Sequence, residues 1–217
     1  MARKRKDKKK QQPQKKKITA ESNKNKELRD KILKNKADTF KIVTLGDGTV
    51  GKTTLRTRFM GQGFQRLYNM TIGADFSVKR VSHQGDTYVA QIWDIAGQLR
   101  FEAIRSMYLK NTDGAMLIFD LTRPKSFESI PRWIEELTSN NEDRIMPMVL
   151  IGNKSDKVPD TKDYISYKVA NNYAKELSDW ANFTVPYIET SAKGGNNVDM
   201  AFKEMVKSIN EYNILHY

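Results

Sequence analysis

The stretch GDGTVGKTTL, residues 46–55, holds Gly46, Gly51, Lys52 and Thr53 in the spacing G-x-x-x-x-G-K-[ST]. Such a loop can hold a polyphosphate. Glycines let the chain turn tightly and bring consecutive backbone N–H groups close to phosphate oxygens, and a following helix adds its positive end. Lys52 supplies a cation for β and γ oxygens, and the Thr53 hydroxyl can ligate Mg²⁺. A second stretch, WDIAGQ at 93–98, places Asp94 where a carboxylate can hold Mg²⁺ through a water. Its Gly97 can offer a backbone N–H to a γ-phosphate. Two further stretches bear on the base. In NKSD, 153–156, the Asp156 carboxylate can accept two hydrogen bonds from guanine N1 and the exocyclic amine. Adenine lacks that donor pair and would leave a buried charge unpaired. In TSAK, 190–193, the Ala192 N–H can reach guanine O6. These groups favour GTP.

Such residues need elements that bring them together. FKIVTLG reads as a strand running into the glycine loop, with a helix from about Gly51. ADFSVKRV and TYVAQIWD alternate in period two around the turn SHQGD, the pattern of an antiparallel hairpin. AMLIFD and PMVLIGN are short, nearly continuous apolar runs, as parallel strands buried on both faces require. Between them Phe127, Ile130, Ile134 and Leu137 recur at helical spacing. Pro131 is tolerated only in a first turn, so that helix is expected to start near Ser129. PYIETSA reads as a last short strand, and Val198, Phe202, Met205 and Ile209 line one face of a closing helix. The expected architecture is one α/β domain with helices on both faces of a mostly parallel sheet.

Charge is unevenly spread over the 217 residues. Residues 1–40 carry 16 Lys/Arg against 5 Asp/Glu, whereas the whole chain has 38 against 26. The globular part is therefore close to neutral and has no drive of its own toward nucleic acid. With no cysteine, disulfides, Cys-ligated zinc and prenylation are not expected. No run approaches the roughly 18 apolar residues of a membrane span. The start is Met-Ala without an apolar segment, so neither myristoylation nor a secretory signal is expected. Residues 1–38 form a basic arm. Its first 17 residues are expected to be disordered, and Leu28, Ile32 and Leu33 give a weak amphipathic signal over 26–36.

In content and spacing, about Lys41 to Asn210 closely resembles the Ras superfamily of small GTPases, the Rab branch most of all. GDGTVGKT, TIGADF, WDIAGQ, NKSD and TSAK occur in order. The resemblance implies a P-loop NTPase G domain over 39–213, followed by a short end at 214–217. It implies a six-stranded, mostly parallel sheet with one antiparallel strand. It implies a GTP/GDP switch with Mg²⁺ as cofactor and slow hydrolysis to GDP. Gln98 would orient the attacking water, with Lys52 and Thr71 as the other catalytic residues. Gly46, Asp47, Gly48, Thr49, Val50, Gly51, Lys52, Thr53 and Thr54 would hold the phosphates, with Tyr68 closing over them and Gly97 beneath. Phe64, Asn153, Lys154, Asp156, Ser191, Ala192 and Lys193 would surround the base. Thr53, Thr71 and, through water, Asp94 would hold the metal. Ile72, Phe76, Trp93 and Tyr108 match effector contacts, for which strand and helix packing is the plainer reading.

The expected protein is monomeric and cytoplasmic, meeting an activating protein, an exchange factor and effectors through two switch segments. Gly48 leaves room for an activator's arginine; neither Arg100 nor Arg105 is evidently placed to act in its stead. Ile95 and Leu99 stand where the family usually has threonine and glutamate. Three readings of residues 1–17 stay open: a solubilising tail, an anionic-membrane anchor, or a nucleic-acid or nuclear-targeting segment. Three functions stay open with them: a membrane-traffic switch, a soluble Ran-like GTPase in cargo transport or ribonucleoprotein assembly, and a non-catalytic nucleotide-bound scaffold.

Overall fold

A computed structural model describes residues 38–63, 73–97 and 102–216. Residues 1–37 of the basic arm, with their 26–36 helix signal, lie outside them, as do Phe64, Tyr68, Thr71, Ile72, Gln98, Leu99, Arg100 and Tyr217. Strand β1 (Thr39–Leu45) sends Phe40 and Ile42 to one face and Val43 and Leu45 to the other, all buried. That alternation makes β1 the centre of a two-faced sheet. The others are β2 (Ala74–His83), β3 (Asp86–Ile95), β4 (Gly114–Asp120), β5 (Met148–Asn153) and β6 (Tyr187–Thr190). Their order is β2-β3-β1-β4-β5-β6, parallel except for the β2–β3 hairpin. The hairpin turn is Gln84-Gly85, both at positive φ (51° and 89°), which matches the right-handed twist of the strands. Strands β4 and β5 are buried along their whole length, as their unbroken apolar runs require.

Helices α1 (Lys52–Phe59) and α6 (Val198–His216) cover one face, where the Phe59 and Phe202 rings stack at 4.0 Å. Helices α2 (Glu102–Leu109), α4 (Ile130–Ser139) and α5 (Tyr167–Ala181) cover the other. Pro131 does sit in the first turn of α4, with Ser129 as the capping residue. Phe127 belongs to a separate short helix, α3 (Pro124–Glu128), and packs edge-on against Phe119 and Tyr173. The closing helix continues to His216, past the expected boundary at 213. Its last turns have partners: the Tyr212 hydroxyl donates to the Ile145 carbonyl at 3.2 Å, and His216 stacks on Tyr212.

The carboxyl ends of β1, β3, β5 and β6 therefore lie along one edge. After β1 the chain moves to its β3 side and later returns on its β4 side, so a crevice opens over β1. Ligands of open α/β sheets bind at such a reversal.

Candidate nucleotide site

The loop from Gly46 to Gly51 joins β1 to α1 across that crevice. Gly51 has φ +104°, and a Cβ there would meet the Asn153 amide, so only glycine fits. Lys52, the first residue of α1, is buried, and its Nζ donates to the carbonyls of Gly46 (2.7 Å) and Asp47 (3.0 Å). Burial pulls the Lys52 ammonium down to about 8, against the opposing pull of Asp94 and Asp47. Val50 is buried, whereas Gly48, Thr49 and Thr54 remain partly or fully accessible. Asp47 turns the other way: its carboxylate accepts from the Ser129 hydroxyl (3.0 Å), Arg132 (3.1 Å) and the Trp133 indole N–H (3.0 Å). A fully buried indole needs such a partner. Only the Asp47 backbone is left to face a phosphate. Gly97 lies beneath the loop, where a Cβ would stand 2.5 Å from Lys52 Nζ and 2.6 Å from the Asp47 carbonyl carbon.

Register places the next group. Thr44 on β1 pairs with Asp94 on β3, and its hydroxyl donates to Asp94 Oδ1 at 3.2 Å. Asp94 is fully buried, and burial raises its carboxyl above the ordinary range, against hydrogen bonding from Thr53 and the charges of Lys52 and Arg56. Its Oδ2 has no hydrogen-bond partner among the described residues. An unmatched, buried carboxylate oxygen beside a threonine hydroxyl is a hard-oxygen set that fits Mg²⁺.

Asn153 ties the two halves of the site together. Its amide donates to the Val50 carbonyl (2.8 Å), while its Oδ1 accepts from the Thr190 hydroxyl (3.1 Å) and the Ala192 N–H (3.2 Å). The Ala192 N–H, expected at guanine O6, is thus engaged in bracing the loop and would have to share that bond. Asp156 accepts from the Ser191 hydroxyl at 2.6 Å, which fixes one of its oxygens. Lys154 is left-handed (φ 67°) and reaches Asp120 Oδ2 at 2.6 Å. Burial alone would raise the Asp120 carboxyl; hydrogen bonds from Lys154 and Thr122 outweigh it and hold the group below its usual range. Lys193 is exposed at the rim.

Residues 41–211 match the Ras family model. The chain belongs to the Ras family. It is similar to the Ras-related protein RABD2a of Arabidopsis thaliana, 37% identical over 79% of this chain and 80% of that one. It is similar to the Ypt/Rab-type GTPase YPT7 of Saccharomyces cerevisiae, 37% identical over 82% and 85% respectively. Ras-related protein Rab-11A of Dictyostelium discoideum is 38% identical over 78% of this chain and 75% of its own length. The chain is a Rab-like small GTPase, hydrolysing GTP to GDP.

Phe76, Trp93 and Tyr108 form one aromatic row, with centroid separations of 5.1 and 5.9 Å. Phe76 is 47% exposed, so the row both packs and presents a surface. Arg105 is buried, paired with Glu136 through two bonds (2.6 and 3.0 Å), and stacked over Trp133. It is a core residue and cannot reach out as a finger. Three charged residues at the site were not read from the sequence. Asp120 holds Lys154. Arg123 donates to Thr49 and Gly48 in the glycine loop. Arg56 lies between Asp94 and β2. Arg123 and Arg56 carry no motif, so nothing in their local spacing points to the site.

Proposed function

We propose that this Rab-like GTPase is a slow timer in membrane traffic, with guanine nucleotide and Mg²⁺ held by the residues at the β1, β3, β5 and β6 ends. The single observation that carries the site assignment is the Asn153 brace, which joins the Val50 carbonyl of the glycine loop to the Ala192 N–H, next to the Ser191 hydroxyl that holds Asp156. Lys52 would exchange its two loop carbonyls for β and γ oxygens, and the loop N–H groups would complete a preorganised anion cradle. Thr53 and Asp94 would hold Mg²⁺, which supplies charge neutralisation when bound. Thr71 would complete the metal shell in the GTP state, and Gln98 would position the attacking water. Asp156 would accept from guanine, with its second oxygen free of the Ser191 hydroxyl. With Arg105 locked in the core, an activating protein would supply the missing cation, worth about 10³–10⁵ in rate.

The aromatic row at Phe76, Trp93 and Tyr108 would face effectors. The arm, with ten Lys/Arg and one acidic residue in its first 17, would attach a monomeric, cytoplasmic protein to anionic membranes, at about 1 kcal/mol per basic residue before screening. Single-turnover hydrolysis of bound GTP by wild type and Gln98→Leu tests the chemistry: wild type should turn over slowly and the variant should be at least tenfold slower. Flotation with anionic liposomes at physiological salt, in GDP and GTP-analogue states, tests the address. Binding only in the GTP-analogue state supports the membrane switch; no binding in either state would overturn the membrane assignment.

A further inference from the structure

We propose that Arg56 is a resident counter-cation of Asp94, competing with the divalent cation for that carboxylate and linking the outcome to strand β2. The inference rests on the reading of Asp94 as the metal-site carboxylate. Arg56 lies on α1 one turn after Thr53, with its side chain only 11% exposed. Its Nη1 donates to the Ser77 hydroxyl at 2.6 Å and its Nη2 pairs with Asp75, both on β2. Its Nε stands 3.9 Å from Asp94 Oδ2. Both atoms of that last pair are buried, and neither has a hydrogen-bond partner among the described residues.

Two complementary groups left unmade in a buried place are costly, and these two stand about 1 Å beyond bonding distance. The neighbouring cation is occupied, since Lys52 Nζ holds the Gly46 and Asp47 carbonyls. Arg56 therefore has a second arrangement within reach, in which Nε closes on Oδ2. That arrangement neutralises Asp94 without a metal. With a dication on Asp94, the same guanidinium is a like charge a few ångströms away and weakens its hold. Asp75 and Ser77 flank Phe76, so the guanidinium that senses Asp94 also grips the strand of the aromatic row.

The test is release of a fluorescent GDP from the full chain as a function of free Mg²⁺, for wild type, Arg56→Gln, Arg56→Lys and Asp75→Asn. Removing the charge with Arg56→Gln should lower the Mg²⁺ midpoint about 3- to 10-fold, and Arg56→Lys should stay within about twofold of wild type. Asp75→Asn frees the guanidinium from β2 and should move the midpoint the other way, upward by about 2- to 5-fold. Thermal melting in excess EDTA gives an independent readout: Arg56→Gln should melt below Arg56→Lys. An unshifted midpoint in both Arg56→Gln and Asp75→Asn, or equal shifts for Arg56→Gln and Arg56→Lys, would reduce Arg56 to a brace between α1 and β2. Should Arg56→Gln fail to fold, the Asp75→Asn direction decides. Wild-type release indifferent to Mg²⁺ would instead overturn the metal-site reading itself.

Discussion

Arg123 donates through Nη1 to the Thr49 hydroxyl at 2.7 Å and through Nη2 to the Gly48 carbonyl at 2.8 Å, tying the segment after β4 to the glycine loop. Thr49 is β-branched yet sits at φ 67°, a left-handed conformation that costs about 1–2 kcal/mol for such a residue. Arg123 holds the strained residue in place. Arg123→Ala should speed GDP release about 3- to 10-fold, the loss of roughly 1 kcal/mol of hydrogen bonding. Thr49→Gly removes the strain, so the double variant should return most of the way to wild type. Equal release rates in wild type and Arg123→Ala would sink the idea.

Asn153 meets both the glycine loop and the last strand. Asn153→Ala leaves the Val50 carbonyl, the Thr190 hydroxyl and the Ala192 N–H without their shared partner. The expected loss is about 2–4 kcal/mol in urea unfolding, a fall in Tm of roughly 5–15 °C. GDP affinity should fall in parallel. A stability change under about 0.5 kcal/mol would show that water replaces these bonds fully.

Lys52 predicts a pH dependence. Burial holds it at about 8, below lysine's ordinary 10.5, so it opposes folding at low pH, and that opposition fades as pH rises from about 8 to 10.5. A polyphosphate needs the ammonium. GDP binding above about pH 8 should therefore take up a proton, and affinity should fall as pH rises further. Calorimetry at pH 9 in buffers of different ionisation enthalpy checks this. No proton uptake there would contradict the buried-lysine account.

Arg105 and Glu136 form a buried pair in which each oxygen of the carboxylate takes one guanidinium N–H. Arg105→Ala strands the Glu136 charge beside the core, at about 3–5 kcal/mol. Denaturant unfolding should show this directly. Single-turnover GTP hydrolysis, corrected for the folded fraction, should stay within about threefold of wild type; a hundredfold loss would return Arg105 to the chemistry.

Much of the fold was legible locally. The runs AMLIFD and PMVLIGN announce strands buried on both faces because their apolar character is unbroken, and SHQGD announces a hairpin because Gly85 permits positive φ. Pro131 marks the first turn of α4 for the simple reason that it lacks an N–H. The loop at 46–53 is legible because one short peptide holds all its parts. The split between α3 and α4 and the extension of α6 to His216 were not, since each depends on packing partners elsewhere, such as Tyr173 and Ile145.

By itself the sequence determined which chemical groups exist and in what order: a lysine and threonine after a glycine loop, a carboxylate after a strand, an NKSD and a TSAK beyond. Tertiary structure decided how they are used. It turned Asp47 toward Trp133, laid Arg123 on Thr49, set Arg56 facing Asp94, and engaged Ala192 with Asn153. Apart from Asn153 and Ala192, 39 residues apart, and Arg56 and Asp94, the paired residues lie 74 or more positions apart along the chain. Strand order and register bring such residues together, and neither is written in the local spacing of either partner.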